Sequence, residues 1–124
     1  MLIQSYRDLE AWQLAMDYVV AVYELSERFP REERFGLTAQ LRRAAVAIPS
    51  NISEGHQQGT RAYLRYVVIA LGSVAECETQ LEIGRRLKFV AEEDLSARLA
   101  LGDRLRQVLF GLRRSLRRKL KSKL

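Results

Sequence analysis

The sequence has only two prolines and one cysteine among 124 residues. So little proline, with glycines mostly isolated, argues against a turn-rich all-β fold. A single cysteine, Cys77, excludes an intramolecular disulfide framework. There is one histidine, His56, so neither a histidine-based metal cage nor the Glu-x-x-His pairs of a di-iron bundle can be assembled. No apolar run approaches the roughly 20 residues that span a bilayer, and the N-terminus MLIQSYRDLE has no apolar signal core. The expectation is a cytoplasmic protein that is not membrane-bound. Acidic residues are absent from one region in particular: between Arg104 and Leu124 there are nine Arg/Lys and no Asp/Glu. The other 103 residues hold 12 basic and 15 acidic side chains, so the net +6 of the chain belongs to its C-terminal segment. Such asymmetry points to a polyanionic partner.

What is abundant is helix-forming sequence. Leu9, Trp12, Met16, Val19 and Tyr23 recur at steps of three and four and predict a helix over about 8–29, stopped by Pro30. Leu37, Leu41, Ala44/Ala45, Ile48 and Ile52 predict a second over about 37–56. Their rhythm continues past Pro49 without a phase jump, so the helix is expected to pass through the proline and bend there. Gly55 suits its C-terminal end. Thr60 is the expected N-cap of a third helix over about 61–88, with stripe residues Tyr63, Val67, Ala70, Val74, Cys77 and Leu81. A fourth, over about 92–120, opens on Glu92, Glu93 and Asp94 and carries Leu105, Leu109, Leu112, Leu116 and Leu120. Four amphipathic helices with short links predict one all-α domain over 1–124, an antiparallel up-down four-helix bundle with its second helix kinked at Pro49.

Catalytic signals are poor. His56 lies in a polar, loop-like setting, and Cys77 lies on an apolar stripe, where a thiol is a core residue rather than a nucleophile. No arginine stands at the spacing before His56 that a helical HEPN-type RNase needs. Gly55 and Gly59 follow no strand and precede no Gly-Lys-Ser/Thr, so they form no phosphate loop. Neither cofactor nor metal is expected.

The fourth segment carries the functional signal. Arg106, Arg113, Arg114, Arg117, Arg118, Lys119, Lys121 and Lys123 are the candidate nucleic-acid contacts. The pairs Arg113/Arg117 and Arg114/Arg118 repel at i,i+4, and an anionic partner would offset that. Arginines suit bidentate phosphate contact. With Phe110 the only aromatic nearby, binding to RNA or DNA is expected to follow the backbone rather than the bases. Arg42, Arg61 and Arg65 can extend the basic surface. The competing reading is a protein scaffold, in which the basic helix pairs with Glu92, Glu93 and Asp94 of a neighbour.

The blocks FGLTAQLRRAAVAIPSNISEG and YLRYVVIALGSVAECETQLEIGRRL carry a resemblance. With YRDLEAWQLA before them, the chain resembles the small bundle proteins named for open reading frames in intervening sequences of 23S ribosomal RNA genes, the S23 family. The matching positions include Gln40, Arg43, Pro49, Asn51, Glu54, Gly55, Gly72, Ser73 and Glu76, while Ser53 stands where the family usually has alanine. The resemblance implies a four-helix bundle that assembles as a homopentameric ring, with no enzymatic activity. It is similar, more distantly, to the basic ring-forming accessory proteins of diversity-generating retroelements, which implies nucleic acid and a reverse transcriptase as partners. Within the motif, Arg43, Pro49, Asn51, Glu54 and Gly55 read as structural, with Asn51 and Glu54 expected to bond the backbone opened by Pro49 or to reach Arg43.

Overall fold

The computed structural model describes residues 3–122. A 3-10 turn over Tyr6–Asp8 leads into α1 (Glu10–Ser26). A second short turn over Arg31–Glu33 precedes α2 (Leu37–His56), followed by α3 (Thr60–Arg86) and α4 (Glu92–Ser122). Each helix packs on those adjacent in sequence, α4 closes onto α1, and the diagonal pairs α1/α3 and α2/α4 make no shared interface among the described residues. Contacts run in opposite order along α2 and α3, and again along α1 and α4. Gly55 meets Tyr63 and Tyr66, whereas Leu41 meets Cys77. Arg28 pairs with Asp94, whereas Gly102 lies against Tyr18. The chain is a four-helix bundle.

Three of the four predicted stripes point into the core. Leu41, Ile48 and Ile52 of α2, Val67, Val74 and Leu81 of α3, and Leu105 and Leu109 of α4 are fully buried. Each such aliphatic side chain contributes about 1.5–3 kcal/mol relative to exposure. The stripe predicted for α1 lies beside the core rather than in it, with Leu9, Trp12 and Val19 packed against its edge. The core residues of α1 are Ala11, Leu14, Ala15, Tyr18, Val22 and Leu25. Trp12 and Val19 are half-buried, and Met16 and Tyr23 are each 40% exposed. The reason is that α1 has two apolar stripes with the same 3–4 rhythm, and periodicity alone does not rank them.

α2 runs through Pro49 without a break, and Pro49 is buried within it. Proline has no N–H to give the carbonyl of Ala45, and side chains bond the backbone around it. The Asn51 amide donates to the Ala47 carbonyl at 2.7 Å, the Ser50 hydroxyl to Val46 at 2.9 Å, and the Ser53 hydroxyl to Ser50 at 3.0 Å. Asn51 therefore bonds the backbone as expected, one turn back along the helix. Glu54 is exposed and bonds neither the backbone nor Arg43, because its position faces solvent.

Two terminus expectations change. Gly55 is not a cap: it lies inside α2, where a Cβ would stand 2.7 Å from the Cβ of Tyr66 and 2.9 Å from a ring carbon of Tyr63. Its lack of a side chain sets the approach of α2 to α3. Gly59, not Thr60, caps α3, and no side chain bonds that end. At the other end of α3, Lys88 adopts a left-handed conformation at φ 65°. Its N–H donates to Arg85 and that of Phe89 to Gly84, each at 2.9 Å, which closes a Schellman motif with lysine in the place glycine favours.

Two stability outcomes follow. Gly55→Val should lower the unfolding free energy by about 1–3 kcal/mol in urea titration, because backbone or tyrosine must move to admit it. Lys88→Gly should raise it by about 1 kcal/mol by removing the left-handed penalty.

Candidate nucleic-acid interface

α4 is the longest helix, and its charges match its dipole: Glu92, Glu93 and Asp94 in the first turn, Lys119 and Lys121 in the last. Its inner stripe anchors it as far as Leu116, which is only 3% exposed. The cationic face is therefore mounted on a helix that remains packed over most of its length.

The candidate cations fall into two groups. Arg106 is engaged: its guanidinium pairs with Glu78 of α3 and with Asp103, and the hydrogen bond to Glu78 raises its pKa further. It ties α4 to α3 and is a poor phosphate ligand. Arg113 is half-buried with its guanidinium 4.8 Å from the centre of the Phe110 ring, an arrangement that leaves its charge uncompensated. Arg114, Arg117, Arg118, Lys119 and Lys121 are exposed and make no ion pair among the described residues. Lys123 lies outside the described residues.

The remaining arginines sort by location. From the Glu78–Arg106 pair, α3 runs back and α4 runs on over the same height, 1.5 Å per residue. Arg65 thus stands level with Lys119, and Arg61 lies one turn beyond; both are exposed and unpaired among the described residues. Arg42 does not join this surface. It donates to the Ser26 hydroxyl at 2.8 Å and to Glu27 at 2.9 Å, and lies over the Tyr23 ring, clamping α2 to the end of α1. Arg85 and Arg86 are taken by Glu82, whose carboxyl the Arg85 hydrogen bonds hold down at about 2. Arg43 is exposed, on the outer side of α2, with no ion pair among the described residues.

The candidate chemistry residues are arranged for packing. Cys77 is fully buried, with its sulfur 4.0 Å from the Leu41 carbonyl, and burial pushes the thiol up to about 12, so it stays protonated at neutral pH. His56 is not a solvated loop residue: it ends α2, half-buried, edge-on to Tyr63 at 5.7 Å. Among the described residues no cluster of His, Cys, Asp or Glu could hold a metal ion, and no helix is long and apolar enough to cross a membrane.

The sequence profile described as 23S rRNA-intervening sequence protein matches residues 7–111. The chain belongs to that family. It is also similar in structure to a crystallised protein of unknown function from the S23 ribosomal protein family of Bacteroides thetaiotaomicron. That similarity has a TM-score of 0.76 at 21% identity, covering 83% of this chain and 97% of the other. At that identity the likeness bears on the fold alone. No curated protein matches the chain. Residues 112–122, with most of the free cations, lie beyond the family match.

Because Arg106 is engaged with Glu78, Arg106→Met should lower stability by about 1.5–3 kcal/mol in chemical denaturation. It should leave the mobility of an RNA or DNA probe with the protein at low salt unchanged.

Proposed function

We propose that this family member is a self-associating, non-enzymatic helical bundle that binds the RNA or DNA backbone through the C-terminal half of α4. The observation that carries this reading is the group Arg114, Arg117, Arg118, Lys119 and Lys121, exposed within eight residues with no acidic partner among the described residues. Repulsion at i,i+4 costs about 0.2–0.5 kcal/mol per pair, and phosphates along a strand relieve it. Arg61 and Arg65 widen the cationic surface onto α3. Contacts of this kind track the backbone and carry little sequence information. Support for self-association comes from apolar side chains left on the surface of two separate faces, Met16, Val20 and Val46 on one and Val68 and Ile83 on the other.

The scaffold reading has one observation in its favour: Glu92 and Glu93 are exposed and unpaired among the described residues at the start of α4, available to a neighbour's cations. Salt titration separates the two. Nucleic-acid binding should weaken linearly in log–log form, with a slope near −0.9 per phosphate neutralised on duplex DNA and about −0.7 on single strands. Reversing Arg114, Arg117 and Arg118 to Glu should abolish the mobility shift of both RNA and DNA while the far-ultraviolet circular dichroism stays helical. A folded wild-type protein that shifts neither probe at low salt would sink the nucleic-acid reading. Assembly that comes apart as salt rises, without any nucleic-acid affinity, would favour the scaffold.

A further inference from the structure

α2 and α3 leave a polar groove between their outer sides. Ala44 and Ala47 of α2 are small enough to open it to about 440 Å3. Ser73 and Gln80 of α3 form its floor, and they are only 7% and 9% exposed. Gln40 and Arg43 stand on the α2 side and Glu76 on the α3 side.

Both floor residues carry polar groups that the chain itself does not satisfy. The Gln80 amide bonds to no group among the described residues, and its Oε1 is buried. The last torsion of glutamine is broad and two-fold, so the amide can present either its donor or its acceptor to the groove. The Ser73 hydroxyl is likewise unbonded among the described residues, whereas Ser50, Ser53 and Thr79 each donate to a carbonyl of their own helix. A buried polar group without a partner is destabilising. Two of them on one floor point to something that bonds there.

The walls carry charge of opposite sign. Arg43 and Glu76 are both exposed, and neither has an ion-pair partner among the described residues. They line one groove and yet do not pair with each other. A carboxylate only accepts hydrogen bonds and a guanidinium only donates them. A ligand lying between the two must present neighbouring N–H donors on one edge and acceptors on another. Guanine is the nucleobase that does so. Its N1–H and exocyclic amine suit a carboxylate, and its O6 and N7 suit the bidentate contact that arginine makes.

The groove is also continuous with the cationic surface. Eleven residues separate Arg65 from Glu76, three turns of helix and about 16 Å, so both lie on one row of α3. Gly72 falls on that row between them, and a Cβ there would meet no atom within 4 Å. Arg61 lies one turn before Arg65. An acid on such a path repels phosphates, and a base whose N–H donors face it offsets that repulsion. We propose that the α2–α3 groove binds an unpaired guanine of a single strand whose backbone lies on the α3 and α4 cations. Glu76 takes its Watson–Crick edge and Arg43 its Hoogsteen edge, while Ser73 and Gln80 pair with the atoms that reach the floor. This rests on the nucleic-acid reading above and adds a base preference that backbone contacts lack. It is confined to single strands, because pairing in a duplex occupies the Watson–Crick edge.

The test is fluorescence anisotropy on the full chain with three labelled single strands: oligouridine, the same strand with guanosine at its centre, and the same strand with inosine there. The guanosine strand should bind about tenfold tighter than oligouridine, the discrimination that a bidentate base contact supplies. Inosine keeps O6, N7 and N1–H but lacks the exocyclic amine, so its strand should fall between the two. Glu76→Gln should remove the preference for guanosine without weakening the binding of oligouridine. Arg43→Gln should weaken the guanosine strand more than oligouridine. Both residues are exposed and unpaired among the described residues, so neither change should alter the helical circular dichroism. Equal affinity of wild type for guanosine and uridine strands, or a preference that survives both substitutions, would overturn the groove and leave backbone binding standing. Equal weakening of both strands by Arg43→Gln would make Arg43 a phosphate contact and overturn it as well. A wild type that binds no strand would overturn the groove and the backbone reading together.

Discussion

The close contact of α2 with α3 governs the rest of this bundle. At one end Gly55 lets the α2 backbone come against Tyr63 and Tyr66; at the other the Cys77 thiol lies under the Leu41 carbonyl. Between them Ile48 and Ile52 face Val67, Ala70 and Val74 within one buried cluster. Any side chain at Gly55 separates the two helices at the end where α4 carries its cations. Pro49 is compatible with this arrangement because the helix there is held by side chain-to-backbone bonds from Ser50, Asn51 and Ser53, as well as by its own ladder. The polar residues clustered around the proline thus stabilise packing, and no catalytic arrangement arises among them.

With that pair in place, ionic contacts settle which charges are used up. Arg42 closes α2 onto the end of α1, Arg98 donates to the Ala21 carbonyl from α4, and Arg106 joins α4 to α3 through Glu78. These arginines are half-buried, and each spans two helices. They are spent on the fold. Among the described residues without an ion pair, the densest group of cations is on the last turns of α4, while Arg7, Arg31, Arg34, Arg43, Lys88 and Arg104 are scattered elsewhere. The distinction between structural and available arginine is one of partner geometry, which residue counts do not contain.

Three of four core stripes were legible in sequence because α2, α3 and α4 each place apolar residues on one dominant face. α1 was misread for a physical reason. Its inward face is built partly from Ala11 and Ala15, small residues with weak hydrophobic signal, and from Tyr18, whose hydroxyl reads as polar. Its outer face carries Trp12, Met16 and Val19. The larger residues won the pattern and lost the core. Gly55 read as a helix end because glycine commonly marks one, whereas the tyrosines that make it necessary lie on another helix. The cationic segment was legible in full as composition, but the withdrawal of Arg106 from it, and of Arg42 from the wider basic surface, depends on acids 28 and 15 residues away in sequence.

The misreading of α1 and the boundary of the family match bear on the same point. Trp12 and Val19 are half-buried against the edge of the core, and Met16 beside them is 40% exposed. Those residues, and Gly72 of α3, fall inside the matched span of 7–111, whereas Arg113, Arg114, Arg117, Arg118, Lys119 and Lys121 fall outside it. Most of the free cations thus lie on the part of α4 beyond the matched span. If copies associate, each adds one such segment, and a weak backbone contact repeated on a common strand gains by effective concentration what a single helix lacks. On that account the modest charge of one chain is no measure of the assembly's hold on a polyanion.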